Sequence, residues 1–263
     1  MVYIETFERK SKIAAFSTPL LFVHGACLGA WCWQDGFLDF FAEAGYQAIA
    51  LNLRGHGGSA TDKPLQKVRI DDYVADVASV AEKLAHPPVV IGHSMGGLIV
   101  QRFAANYATS GVVMMSPSPF AGMLSQSLRL LRTHPGRFFI ASLWRDIHRI
   151  YPDNRRVRNI MFSPSTPEEI VTRCRERLQK ESWTATQEMN PPLKQAYDIN
   201  VPMLVLGAEY DGTVLPDAIC DTAVAYKAPC HIFKNMGHNL MLEPDWREVA
   251  AYIQNWLREN IVN

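Results

Sequence analysis

The stretch from Val89 to Val100, VVIGHSMGGLIV, constrains the fold of this chain more than any other. An apolar run ends in Gly92-His93-Ser94-Met95-Gly96 and passes at once into a second apolar run. G-x-S-x-G at a strand-to-helix junction is a nucleophile elbow. The backbone must turn sharply there to lift the serine hydroxyl clear of a sheet. A side chain at position 92 or 96 would collide with neighbouring backbone, so glycine holds both. The helix that follows points its free N–H groups at Ser94 and favours negative charge developing beside it.

The remaining sequence supplies the sheet that such an elbow needs. Short apolar runs alternate with amphipathic ones, the pattern of a parallel α/β sheet. Strands are expected at LLFV before His24, from Tyr46 to Leu53, and at VVIG. Further strands are expected at Gly111-VVMMS, at MLVLGAEYD after Pro202, and at Cys230-HIFKN. Tyr3–Phe7 and Ile13–Phe16 are expected to pair as an antiparallel edge. The spacing predicts helices over Trp31–Ala44, Ile70–Ala85, Gly96–Ala108, Pro216–Tyr226 and Pro244–Glu259. From Ser118 to Pro192 the rhythm breaks into helical patches and scattered prolines. The expected fold is α/β, a mostly parallel sheet of about eight strands flanked by helices, with a helical insertion after strand six. Residues 1–117 and 193–263 form the core, and 118–192 the insertion.

Charge narrows the function classes. Lys+Arg and Asp+Glu both number 26, so nothing draws the whole chain to nucleic acid or to an anionic membrane. The start, MVYIETFERKSK, is too charged for a signal peptide, and no apolar run is long enough to span a bilayer. A soluble, cytoplasmic protein without stable membrane insertion is expected. Five cysteines match no metal template and read as free buried thiols, so neither metal nor cofactor is expected. The insertion carries eleven arginines and one lysine against seven acids, a net +5, and reads as a solvated helical face. The alternative reading is a basic lid drawing anionic substrates or membrane surfaces.

A serine hydroxyl is a poor nucleophile near neutral pH. It needs a base, and the base needs an orienting acid. Behind an elbow of this kind the chain order is serine, acid, histidine. Glu209 and Asp211 both lie just past a strand; Tyr210-Asp211-Gly212 reads as the loop turn, which favours Asp211. His238 follows the strand IFKN and precedes the last helix, where the base belongs. His86, His134, His148 and His231 read as structural or surface residues. An oxyanion needs two donors. The backbone N–H of Met95 is one, and that of Ala26, beside Gly25, is the other. His24 and His56 read as loop braces. Trp31, Trp144 and Trp183 are the candidate substrate-binding side chains, although aromatics of the insertion, Phe138 among them, can equally form its own core.

FVHGACLGAWCW, LNLRGHGGS, IGHSMGG, GAEYDGTV and MGHNLMLEP, in this order, resemble the α/β-hydrolase superfamily over nearly the whole chain. The resemblance implies the α/β-hydrolase fold with residues 118–192 as a helical cap. It implies a cofactor-free serine hydrolase of small to medium acyl esters or lactones, with Ser94, Asp211 and His238 as triad and Ala26 and Met95 as oxyanion donors. Asn52 stands where relatives often carry Asp, and Asn239 stands where hydroxynitrile lyases carry lysine after the histidine. Serine at position 94 argues against epoxide hydrolases and haloalkane dehalogenases, whose nucleophile is Asp. The alternatives are an N-acyl lactone hydrolase, lyase or perhydrolase chemistry on the same triad, and a low-turnover ligand receptor.

Overall fold

The computed structural model describes residues 2–11, 15–133, 135–193 and 196–261. Among them, seven strands form one sheet: β1 (Thr6–Arg9), β2 (Leu20–Val23), β3 (Ala48–Leu51), β4 (Val89–His93), β5 (Gly111–Met115), β6 (Met203–Ala208) and β7 (Cys230–Phe233). Their order is β1-β3-β2-β4-β5-β6-β7. Only β1, antiparallel to β3, breaks the parallel pattern. Alternate side chains bury on opposite faces. Leu20, Phe22, Ile91 and Val113 enter one apolar cluster, while Leu21, Val23, Val90 and Val112 enter the other. A strand covered on both faces reads as an unbroken apolar run, which is why these strands are visible in the sequence.

Helices α1 (Trp31–Gln34), α2 (Phe37–Glu43) and, near the end, α11 (Trp246–Asn260) cover the first face. Helices α3 (Ile70–Ala81), α4 (Met95–Ala104) and α10 (Pro216–Tyr226) cover the second. Between β5 and β6 run α5 (Leu124–Thr133), α6 (Pro135–Trp144), α7 (Asn154–Met161), α8 (Glu168–Arg177) and α9 (Trp183–Glu188).

The details differ from expectation in three places. The single helix expected over Trp31–Ala44 is two, because Gly36 takes φ 108° between them. A Cβ at Gly36 would collide with the Trp246 ring, so close packing on α11 fixes the break. Lys12, Ile13 and Ala14 lie outside the described residues, and Ala15 and Phe16 carry no strand. Phe16 instead stacks on Tyr46 at 4.2 Å, and β1 pairs with the open edge of β3. Among the described residues, five strands precede the insertion where six were expected.

Candidate active site

Ser94 sits between β4 and α4 at φ 54° and ψ −117°, a backbone conformation that L residues rarely adopt. The turn is pinned on both sides. Its N–H donates to the Met115 carbonyl at 3.0 Å, and its carbonyl accepts from Gly97 at 2.9 Å and Ser118 at 3.1 Å. A Cβ at position 92 would strike the Gly96 carbonyl, and one at position 96 would strike those of Val23 and His24. The glycines are thus a packing requirement.

The loop after β2 lies directly on this elbow, since a Cβ at Gly25 would sit 2.9 Å from Ser94 Cβ. His24 aims the loop. Its Nε2 accepts from the Leu53 N–H at 3.1 Å, so the ring proton is on Nδ1, which donates to the Gly25 carbonyl at 2.9 Å. That carbonyl shares a peptide plane with the Ala26 N–H, so fixing one orients the other. Burial, then the neighbouring His56, lowers the His24 pKa to about 3, so the ring stays neutral. Among the described residues, neither the Ala26 nor the Met95 N–H donates to an acceptor within the chain.

Past β6, Asp211 accepts from the N–H groups of Thr213 and Val214 through Oδ1, at 2.8 and 2.7 Å. Its Oδ2 lies 2.8 Å from His238 Nδ1. A carboxylate can only accept, so Nδ1 carries the proton and Nε2 is left with a free lone pair. Both side chains are buried. Glu209, the competing acid, instead accepts from the Asn235 N–H at 3.0 Å and meets Lys234. His93 ties the two loops together: its Nε2 donates to the His238 carbonyl at 3.0 Å, and the rings stand 4.7 Å apart. Burial, then His238, holds the His93 pKa well below the usual histidine value.

The insertion reaches this centre from two directions. Cβ atoms at Gly212 and Gly237 would collide with the backbone of Asn159 and Phe162, so the end of α7 rests on both loops. Glu243 accepts from Ser163 and Gly237 N–H groups at 2.6 and 2.7 Å and joins them. On the other side, Gln179 N–H donates to the Cys27 carbonyl at 2.8 Å, and Cys27 N–H donates to Glu181 Oε2 at 3.3 Å. Cys27 has φ 62°, so the insertion holds a strained residue next to Ala26. Glu181 also accepts from the Tyr73 hydroxyl and the Ser182 N–H, both at 2.6 Å. His56 Nε2 lies 3.2 Å from Glu181 Oε2, an ion-pair contact without hydrogen-bond alignment. Burial alone would lower the His56 pKa, but Glu181 outweighs it and the net shift is upward. Burial alone would raise Glu181, but His56, Tyr73 and Ser182 outweigh it and the net shift is downward. Glu181 lies in an irregular stretch, QKESW, and no sequence pattern marks it as buried.

Asn52 explains its departure from Asp. Its amide accepts from the Ala30 N–H at 2.7 Å and donates to Glu5, which a second carboxylate could not do. The three tryptophans are not brought together. Trp31 is buried under the Arg177 guanidinium, 4.5 Å from its ring centre. Trp144 is 63% exposed. Trp183 lines a cavity of about 100 Å³ with Ala141, Ile150 and Met189. Met189 sulfur accepts from the Ser118 hydroxyl at 3.2 Å, and Ser118 N–H bonds the Ser94 carbonyl, so this cavity approaches the elbow. His134 and the Phe138 side chain lie outside the described residues.

The alpha/beta hydrolase family profile matches residues 20–252. The chain belongs to that family. A non-heme chloroperoxidase of Streptomyces lividans is 44% identical over 88 residues, covering 33% of this chain and 31% of that protein. The match thus spans about a third of that relative's length. Epoxide hydrolase 3 of Xenopus tropicalis is 25% identical across 92% of this chain and 72% of its own. Among solved structures, a thermophilic esterase from Thermogutta terrifontis superposes with TM-score 0.71 at 20% identity, covering 98% of this chain and 94% of the other.

Proposed function

We propose that this hydrolase is a serine carboxylesterase, acting in the cytoplasm without metal or cofactor on small to medium acyl esters or lactones. Ser94 is the nucleophile, His238 the general base through Nε2, and Asp211 the residue that orients it. Ala26 and Met95 N–H groups hold the oxyanion. Residues 118–192 act as the cap, with Trp183, on the cavity that approaches the elbow, as its aromatic contact to substrate. The observation that carries this reading is the 2.8 Å Asp211–His238 bond beside a serine held at φ 54°. A serine at position 94 favours it over epoxide hydrolysis, because the relatives of that activity attack with Asp.

In the first half-reaction Ser94 Oγ attacks the acyl carbon and its proton passes to His238 Nε2. Negative charge collects on the former carbonyl oxygen, against the two backbone donors. Asp211 stabilises the imidazolium formed. The carbon–oxygen bond to the leaving alcohol breaks, and that alcohol takes the proton from Nε2. Water repeats the sequence on the acyl-enzyme and releases the acid. A second reading, perhydrolysis of the same acyl-enzyme by hydrogen peroxide, draws on the chloroperoxidase likeness. A panel of esters, lactones and thioesters, with and without peroxide, read against Ser94→Ala, decides the matter. Ester turnover that survives in Ser94→Ala overturns the proposal.

A further inference from the structure

The insertion carries a surface that the proposed chemistry does not use. Of the twelve large apolar side chains exposed among the described residues, seven fall between Leu124 and Trp144. A cluster of that kind calls for a partner, whereas scattered ones do not. On α5, Leu124, Leu128 and Leu131 recur at spacings of one helical turn and share a face. On α6, Phe139, Ile140, Leu143 and Trp144 form a second stripe, 37–66% exposed. The inner side of α6 is different: Ala141 and Ser142 line the cavity shared with Trp183 and Met189.

Charge identifies the occupant. From Ser118 to Arg145 there is no Asp or Glu, while Arg129, Arg132, Arg137 and Arg145 all fall there. Arg132 and Arg145 are exposed. The first acid, Asp146, is buried and accepts from the His148 N–H at 3.2 Å. A two-fold dimer through this face would set arginines against the same arginines, with no acid from the face between them. Apolar stripes flanked by arginine and free of acid suit the boundary of an anionic bilayer, where the stripes enter the acyl region and the guanidiniums meet phosphates. Among the described residues no helix is long and apolar enough to cross a membrane, so the contact is peripheral.

We infer that α5 and α6 dock this protein on anionic lipid surfaces, with α6 standing between the lipid and the cavity lined by Ala141 and Ser142. The inference concerns binding and does not depend on the roles given to the triad. The test is flotation of the full chain with vesicles of phosphatidylcholine alone and of phosphatidylcholine mixed with phosphatidylglycerol. The expected result is binding to the mixed vesicles only, weakened by salt. Phe139→Ser with Leu143→Ser should lower partitioning about tenfold, from the apolar area withheld from lipid. Arg132→Glu with Arg145→Glu should lower it comparably, and both double variants should keep the parent's turnover of a short soluble ester. Ser94→Ala should bind as the parent does. Equal partitioning of the parent and both double variants overturns the inference, as does equal binding to neutral vesicles. A parent that ignores vesicles overturns it too; sedimentation as a dimer that Phe139→Ser with Leu143→Ser dissolves would then assign the face to a second copy. A monomeric parent that ignores vesicles but binds an acidic protein would assign it to that partner.

Discussion

Two buried histidine–carboxylate pairs lie among the described residues, Asp211–His238 on the core and Glu181–His56 between insertion and core. In the first, Asp211 accepts from two loop N–H groups through one oxygen and from His238 Nδ1 through the other in an aligned bond, which leaves the far nitrogen of His238 free. In the second, Glu181 is saturated by Tyr73, Ser182 and Cys27, and His56 meets it off the hydrogen-bond line. His56 Nδ1 is occupied by the Arg54 carbonyl at 3.3 Å. The pairing of residue types is the same; what differs is the vacancy left on the imidazole and what stands beside it. In the proposed mechanism the first pair moves a proton, whereas the second holds a loop.

The sharpest way to break this comparison is to remove the nucleophile. Ser94→Ala should lower kcat by about 10⁴-fold or more with stability nearly unchanged, because alanine keeps the Cβ and with it the same strained φ. Steady-state kinetics beside thermal unfolding measures both. Asp211→Asn should cost about 10⁴-fold in kcat with little change in KM, since the imidazole then adopts the wrong tautomer. A loss confined to KM would remove Asp211 from the orienting role.

Glu181→Gln should behave in the opposite way. Breaking a buried pair costs about 3–5 kcal/mol of stability. The kcat loss should be about tenfold, with KM nearly constant, because the amide still holds Cys27 only loosely beside the oxyanion donor. Urea unfolding and kcat together test it; a loss as deep as that of Asp211→Asn in a fully stable variant would make the two pairs equivalent.

The pH dependence sharpens the contrast further. The folded pKa of His56 is raised above 6.5, so its contribution is complete below 6.5 and disappears as pH rises through the raised value. The folded pKa of Glu181 is lowered below 4.5, so its contribution is complete above 4.5 and disappears as pH falls through the lowered value. The Tm difference between the parent and His56→Asn should therefore be widest between pH 4.5 and 6.5 and narrow on both sides. A difference that stays constant across that range and beyond it would contradict the charged pair. The smallest effect belongs to Glu209→Gln, whose carboxylate points at Asn235 and Lys234. Its kcat should stay within about twofold of the parent, as for other exposed substitutions away from the chemistry.

Much of this arrangement was legible before the structure. The elbow is written in local sterics: glycine at 92 and 96, apolar residues before and after. The strands LLFV, AIAL, VVIG, GVVMM and MLVLGA were legible because burial on both faces leaves no polar residue in them, whereas the partly buried CHIF carries His231. Less was legible where long-range packing decides. Gly36 breaks a helix because Trp246, more than two hundred residues away in sequence, takes the space. The partner of β1 was not legible either: it is β3, a choice of partner that periodicity cannot rank.

The sequence by itself determined the fold class, the elbow, and the order in which serine, acid and histidine follow one another, because each rests on short-range geometry and on burial patterns a few residues long. Only the tertiary structure decided that Asp211 and not Glu209 reaches His238, that Glu181 crosses from the insertion to grip Cys27, and that Leu124, Leu128 and Leu131 of α5 and Phe139 and Trp144 of α6 face outward. Each of those depends on which distant surface a side chain finds when the chain packs, and a single sequence records the side chain but not its neighbour.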